Sequence, residues 1–93
     1  MNEPTASERR ALRRRAATLT ARVTVGCQGL TEGVLEEVRR GLAAEGLLKV
    51  RVAGRDRASV ERMADELAAR TPCILVGRVG FVITLARPDE PRE

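Results

Sequence analysis

The chain has almost no aromatic side chains and no histidine: its 93 residues include a single Phe, Phe81, and no Trp, Tyr or His. Proteins that hold single-stranded nucleic acid by stacking its bases need several aromatic rings, so the chemistry of RNA-recognition motifs is excluded. The absence of His removes Ser–His and Cys–His nucleophile pairs and His-ligated metals. Since the sequence offers no nucleophile–base pair, we expect no enzyme activity, no catalytic residue and no small-molecule substrate.

Cysteine and long apolar runs are also scarce. Cys27 and Cys73 are far apart in the sequence and form no C-x-x-C motif, and two thiols do not make a zinc site. We therefore expect no metal and no cofactor. The longest apolar stretch, which begins with residues 73–76, is far too short to cross a bilayer, and no signal peptide is recognisable. These features predict a reduced, cytoplasmic protein with no membrane partner.

What the chain does contain is arginine, concentrated near the N-terminus. The formal net charge is +4, and every basic residue except Lys49 is Arg. Residues 1–22 hold six arginines against two glutamates, so the rest of the chain is nearly balanced. Arg suits bidentate contacts with phosphate, and a dense cationic helix surface indicates nucleic-acid binding. A GC-rich genome and an ordinary solvated helix face are the alternative explanations.

Hydrophobic periodicity predicts helices and strands in the order αβαβαββ. We expect an α/β two-layer sandwich, in which a mixed four-stranded sheet has helices on one face and an exposed, basic opposite face. The continuously apolar strand at 73–76 is expected in the middle of that sheet. A single domain is predicted over residues 7–88, between a disordered N-terminus (1–6) and a disordered tail (89–93). The predicted helices cover 7–19, 31–45 and the segment from the turn at 54–56 to about 70; the predicted strands cover 22–25, 47–52, 73–76 and 81–85.

A Gly-x-x-Gly loop separates the first predicted strand from the second predicted helix. It consists of Gly26, Cys27, Gln28 and Gly29, and Thr31 is a suitable N-cap for the helix. Glycines let the backbone bend and approach a ligand, and a helix start offers free N–H groups and a partial positive charge to a phosphate. The pattern indicates a phosphate-binding loop, although two glycines in a loop are also typical of a plain turn.

The order of these motifs resembles the CRM domain family, in its bacterial YhbY type. The resemblance covers about residues 7–88. It is carried by Arg9-Arg10-x-Leu12-Arg13, by Val23-x-Val25-Gly26-x-x-Gly29-Leu30-Thr31-Glu32-Gly33-Val34, and by the later Leu47-Leu48-Lys49-Val50, Ala64-x-x-Leu67 and Val76-Gly77-Arg78. It implies an RNA-binding domain whose fold is similar to that of the C-terminal domain of translation initiation factor three. It further implies association with precursors of the large ribosomal subunit.

The chain departs from the family pattern at three places. Cys27 stands where the family usually has a basic residue, small residues such as Ala17 replace His or aromatic residues late in the first helix, and Leu85-Ala86 rather than Tyr precedes Arg87. A protein-interaction module of the same fold that has lost RNA binding is therefore the alternative function.

From the loop, the basic first helix and the resemblance we predict that the partner is RNA, most specifically structured ribosomal RNA recognised through phosphates and shape during assembly of the large subunit. Lys49 and Arg51 qualify as contacts only if the loop and the first helix lie on their side of the sheet. The predicted RNA-contacting residues are Gly26, Cys27, Gln28, Gly29, Thr31, Arg9, Arg10, Arg13, Arg14, Arg22, Lys49, Arg51, Arg78 and Arg87.

Overall fold

A computed structural model describes residues 4–54 and 56–90. It confirms the order αβαβαββ. Arg55, within the predicted turn, and the outermost parts of both predicted disordered termini lie outside the described residues. The elements are α1 (Ala6–Ala16), β1 (Val23–Val25), α2 (Glu32–Glu45), β2 (Leu47–Val52), α3 (Arg57–Arg70), β3 (Ile74–Val79) and β4 (Val82–Ala86).

The four strands form one mixed sheet, as predicted, and their spatial order is β1-β2-β4-β3. β1 runs parallel to β2, with Val23 opposite Val50, whereas β4 is antiparallel to both of its neighbours. Parallel strands end at the same edge of a sheet, so β1 and β2 deliver their following loops to one end of the molecule. We call this the loop end; β4 begins there, because Val82 lies opposite Arg51.

The main core lies between α2, α3 and one face of the sheet. Val50 and Leu85 from the sheet are fully buried there against Leu35 of α2 and Leu67 of α3. The ends of α2 follow the prediction: the Thr31 hydroxyl accepts a hydrogen bond from the Val34 N–H at 3.2 Å, and Gly46 ends the helix. This core fixes the loop before α2 at the edge of the sheet.

The first helix packs on the opposite face of the sheet, so the prediction that all helices lie on one side is wrong for α1. Leu12 and Ala16 of α1 are buried against Leu47, Val76 and Ala86, which form a second, smaller core. Because Leu47 and Leu48 are consecutive, the first residues of β2 are apolar toward both faces, and the sheet accepts a helix on each. Where α1 covers the sheet, the protein therefore has three layers, with α1 on one face of the sheet and α2 and α3 on the other.

β3 is an edge strand, not the central strand that its continuous apolar sequence suggested. Its two faces are contacted by different helices, α1 and α3, so apolar residues are favoured on both sides even at the edge. The strand also runs on through Gly77, which was predicted to begin a turn. The connection to β4 is only Gly80 and Phe81, and a positive φ at Gly80 alone (59°) is typical of a type II′ hairpin.

The boundaries of α1 also differ from the prediction. Thr5 is the N-cap in place of Ser7, because its hydroxyl accepts from the Glu8 N–H while the Glu8 carboxylate accepts from the Thr5 N–H. The helix ends at Ala16, three residues before the predicted end at Leu19. The three-residue difference matters because segment 17–21 then forms a wall of the groove described below.

Candidate nucleic-acid interface

The fold divides the basic side chains into those that are paired and those that are not. Seven arginines of the described residues form ion pairs with carboxylates: Arg15 with Glu90, Arg22 with Glu45, Arg39 and Arg40 with Glu36, Arg70 with Glu32, Arg78 with Glu61, and Arg87 with Asp89 and Glu90. Within residues 4–54 and 56–90, the basic side chains with neither an ion pair nor a side-chain hydrogen bond are Arg10, Arg13, Arg14, Lys49, Arg51 and Arg57. Cations without a partner in the protein are the ones available to an anionic ligand.

Most of these unpaired cations lie on the side of the sheet that carries α1. Along β2, Leu48, Val50 and Val52 belong to the main core, so the alternating positions Lys49 and Arg51 point to the other face. The first helix does lie on their side, which fulfils part of the condition set from the sequence. Arg10, Arg13 and Arg14 belong to α1 itself, and we call these three residues together with Lys49 and Arg51 the basic surface.

A groove of about 540 Å³ opens between α1 and the uncovered part of the sheet. Arg13 lines its helical wall, Lys49 and Arg51 line it from β2, and Val82 and Thr84 line it from β4. Segment 17–21 contributes the rest of the wall, and none of the described lining residues is Asp or Glu. The groove is therefore a concave site with a purely positive charge.

Close packing of α1 against β3 sets the position of Arg13. A Cβ atom at Gly77 would lie 3.1 Å from Cδ of Arg13, so the absence of a side chain at Gly77 leaves room for the arginine stem to cross the strand. The side chain of Arg13 thus lies over Gly77 of the sheet, with Cγ, Cδ and a guanidinium nitrogen all within 4 Å of the position of that Cβ, and the residue also lines the groove.

The Gly-x-x-Gly loop lies at the loop end of the sheet. The Gly29 N–H donates to the Gly26 carbonyl at 3.0 Å, which closes a tight turn that leaves Cys27 and Gln28 exposed. Thr24, just before the loop, pairs with Arg51 in the β1–β2 ladder. The loop and the Arg51 end of the groove therefore share one end of the molecule. The loop leads into α2, however, which packs on the face of the sheet opposite Lys49 and Arg51, so the part of the condition that concerns the loop is not met and both residues stay predicted contacts.

The two loop glycines are not equivalent. Gly29 has a φ of 80°, a conformation that other residues adopt only with strain. Gly26 has no positive φ, and a Cβ built on it would meet no atom within 4 Å. Folding thus accounts for Gly29, but it does not account for Gly26. The Thr31 hydroxyl is engaged as the helix cap.

The structure does not bring four of the predicted site residues to the basic surface. Arg9 donates to the Pro4 carbonyl at 2.9 Å and lines a separate cleft beside β3 and the end of α3. Arg22 reaches toward the end of α2, and Arg78 turns to the α3 side of the sheet. Arg87 donates to the Ala43 carbonyl at 3.0 Å, at the end of α2.

Arg87 belongs to a cluster that ties the C-terminal residues to the fold. Glu90 is 7% exposed and accepts from Arg15 of α1 at 2.5 Å and from Arg87 at 2.8 Å. The hydrogen bond from Arg15 lowers the pKa of the Glu90 carboxyl, burial opposes this, and Arg87 lowers it further. Pro4, at the other terminus, is buried as well. Glu90 and Pro4 were assigned to disordered termini, but both pack against the folded unit.

We expect Glu90 to make the stability of the protein pH-dependent. Because the folded pKa is lowered, the stabilisation by Glu90 is present above its unfolded pKa of about 4.5 and is lost as the pH falls through the folded value. Glu90→Gln should reduce the free energy of unfolding by about 1 kcal/mol at neutral pH. In urea denaturation experiments from neutral to acidic pH, the free energy of unfolding of this variant should decrease less steeply than that of the wild type. Asp89→Asn, at an exposed ion pair, is the control, and equal acid profiles for wild type and Glu90→Gln would contradict the assignment.

Sequence reasoning missed Arg57. It is the first residue of α3 and follows the end of β2 closely, so it lies near the loop end, and it is one of the unpaired cations named above. Its position at a helix start was visible in the sequence, but its lack of a carboxylate partner was not.

Within residues 4–54 and 56–90, no helix is long and apolar enough to cross a membrane. In the same part of the chain, no group of Cys, Asp or Glu side chains is arranged to hold a metal ion.

The profile of the CRS1/YhbY (CRM) domain matches residues 5–87, nearly the entire described chain. The chain belongs to this family. The resemblance found in the sequence is therefore confirmed, and the match includes α1, the Gly-x-x-Gly loop and all four strands of the CRM domain described here.

Curated relatives of this CRM domain come from bacteria and an archaeon. An RNA-binding protein of Haemophilus influenzae is 38% identical over 68 residues, which are 73% of this chain and 69% of that protein. A probable RNA-binding protein of Methanocaldococcus jannaschii is 39% identical over 88 residues, 92% of this chain and 65% of that protein. A third, from Pseudomonas aeruginosa, has the same description and is 38% identical over 61 residues, 66% of this chain and 59% of that protein. The chain thus matches about two thirds of the length of these proteins.

The fold itself recurs in the solution structure of a hypothetical protein from Staphylococcus aureus. The two chains superpose with a TM-score of 0.83 over 97% of this chain and 94% of that one, at 23% sequence identity. This likeness supports the α/β arrangement around the mixed sheet.

Proposed function

We propose that this CRM protein is a non-catalytic RNA-binding protein of the cytoplasm that recognises structured ribosomal RNA through phosphates and shape, and that it assists assembly of the large ribosomal subunit. The observation that carries the proposal is the basic surface, which runs along one side of the molecule from α1 across β2 to the loop end. Its cations have no ion pair or side-chain hydrogen bond within the described part of the chain. The names of the curated relatives support RNA as the partner.

Binding would begin with phosphates. Arg13, Lys49 and Arg51 would each neutralise a phosphate of an RNA strand that follows the basic surface, and the backbone at the start of α2 would accept another near Gly26. Such contacts position an RNA without reading its sequence. The major groove of A-form RNA is too deep and narrow for side chains to reach the base edges. A protein with few side chains that could contact bases therefore recognises RNA by the spacing of its phosphates and by its 2′-hydroxyls.

The test is binding to a labelled fragment of large-subunit ribosomal RNA over a range of salt concentrations, beside duplex DNA of equal length. We expect tighter binding to the RNA. In a plot of log K against log salt concentration, each phosphate neutralised contributes about −0.7 to −0.9 to the slope, so the slope should correspond to several contacts. Weak binding that is equal for RNA and DNA would contradict the proposal. The alternative, a protein-interaction module of the same fold, would then be pursued.

We expect Gly26→Asp to lower RNA affinity about tenfold without destabilising the fold. The new carboxylate has open space around it, and it would repel a phosphate held at the start of α2. Gly29 is a poor choice for this test, because its φ of 80° makes any side chain there strained. Affinity is measured by fluorescence anisotropy and stability by urea denaturation.

The controls separate charge from position. Ala44→Asp introduces the same charge at an exposed position in the last turn of α2, at the opposite end of that helix from the loop, and should leave the affinity close to that of the wild type. Gly26→Ala should change neither stability nor affinity strongly. If Gly26→Asp and Ala44→Asp weaken binding equally, the loop is not a contact site.

A further inference from the structure

The groove beside α1 differs in composition from the rest of the basic surface. Between the cations its lining is uncharged and largely apolar, with Ala16 and Leu19 on the helical side and Val79 and Val82 on the sheet. A volume of about 540 Å³ lies within the range of about 300 to 1,000 Å³ that is common for sites that enclose a small organic ligand. A surface that contacted only phosphates would need neither this depth nor this apolar lining.

The charges at the groove favour an anionic occupant with an uncharged, flat part. Arg13 on one wall and Lys49 and Arg51 on the other have no ion pair or side-chain hydrogen bond with any residue that the structure describes, so each can pair with a phosphate. Arginine guanidinium groups also stack on nucleobases, and Thr84 offers a hydroxyl that donates to or accepts from a base edge. The groove contains no aromatic side chain, so stacking on an arginine plane and apolar contact would hold the base.

We infer that the groove takes one unpaired nucleotide of the RNA, with its base among Val79, Val82 and Leu19 and its flanking phosphates on Arg13, Lys49 and Arg51. A nucleotide within a continuous duplex cannot occupy it, because a paired base lies inside the helix and only its backbone reaches a protein surface. A bulged or looped nucleotide projects its base from the backbone, and such nucleotides are the usual targets of selective RNA recognition. The preferred ligand is then a structured RNA interrupted by a bulge or loop.

This inference rests on the proposed function, and the experiment separates the two. Two RNA hairpins are compared, one with a fully paired stem and one with the same stem plus a single bulged nucleotide, together with duplex DNA of the same length. We define the bulge preference as the dissociation constant for the paired hairpin divided by that for the bulged hairpin. The wild-type protein should show a bulge preference of about tenfold, since enclosure of one base accounts for an effect of that order.

Two sets of variants assign the preference to the groove. Ala17→Leu fills part of the groove at an exposed helix end, so it should abolish the bulge preference while affinity for the paired hairpin stays within about twofold. Arg10→Ala with Arg14→Ala removes exposed cations of α1 that do not line the groove, so it should weaken both hairpins equally and keep the preference. Ala69→Leu, at an exposed position of α3, is the matched control for the added side chain.

Each outcome decides one claim. Equal affinity of the wild-type protein for the two hairpins would overturn the inference, and it would leave RNA binding intact if both hairpins bound more tightly than DNA. A bulge preference that survives Ala17→Leu unchanged would also overturn it, because the base would then be recognised elsewhere. If neither hairpin binds better than duplex DNA, the proposed function itself fails.

Discussion

Replacing Arg13, Lys49 and Arg51 together with Ala should lower the affinity for ribosomal RNA by about two orders of magnitude at 0.1 M salt. Each lost phosphate contact removes about 0.7 to 0.9 from the slope of log K against log salt, which at this salt concentration is about a five- to eightfold loss per contact. The slope itself should fall by about two to three. Because none of the three side chains is engaged in a side-chain hydrogen bond or ion pair of the described structure, the free energy of unfolding should change little.

The matched control removes the same charge from another part of the surface. Arg39, Arg40 and Arg70 are each paired with a carboxylate on α2, and exposed pairs of this kind contribute little to stability. Their triple Ala variant should keep the affinity within a few fold of wild type and retain most of the salt slope. An equal loss in both triple variants would mean that overall charge, and not the basic surface, determines binding.

The faces of β2 and the ends of α2 could be predicted from the sequence, because each depends on a few consecutive residues. Leu48, Val50 and Val52 define one face of β2, so Lys49 and Arg51 had to lie on the other. Helix caps at Thr31 and Gly46 follow from local backbone chemistry and were also predictable. The element order was confirmed for the same reason: each signal lies within a few consecutive residues.

The position of α1 and of β3 depends on contacts between distant segments. Leu12 is as consistent with packing on one face of the sheet as on the other, and only the second core with Leu47 and Val76 decides between them. α1 and α3 both contact β3, yet within the strand only Val76 is buried and Leu75 is exposed. A run of apolar residues therefore does not decide whether a strand lies at the edge or in the middle of a sheet. Sequence periodicity indicates whether a side chain belongs to a helix or a strand. It does not indicate which other helix or strand packs over that side chain.

The candidate site shows the same limit. The basic residues are visible in the sequence, but the carboxylates that pair with them cannot be identified there. The partners of Arg22 and Arg78 are far away in the sequence, and the spacing of Arg87 and Glu90 does not by itself predict an ion pair. These ion pairs place the three arginines outside the basic surface. Arg57, which was not among the predicted contacts, has no ion pair or side-chain hydrogen bond within the described residues. The free cations of a small basic protein are defined by its tertiary structure.

Leu12→Ala should reduce the free energy of unfolding by about 2 to 5 kcal/mol, the usual range for a fully buried Leu. Leu12 is 0% exposed and belongs to the second core, which contains four other buried residues among those that the structure describes. A cavity at this position removes most of the apolar contact that holds α1 on the sheet. Since small domains are stable by only about 5 to 15 kcal/mol, the loss is a large fraction of the total.

The same variant tests whether binding requires α1 to be docked. If α1 detaches, Arg13 leaves the wall of the groove, and RNA affinity should fall under conditions in which the rest of the domain is still folded. Hydrogen exchange measures this directly: amide protection should be lost first in α1 and retained in the sheet and in α2. Leu19→Ala, at a partly buried position of the same region, should have a smaller effect on both quantities. A change of under about 1 kcal/mol for Leu12→Ala would contradict the packing of α1 described here, because a helix held on the sheet by so small a core depends on its one large side chain.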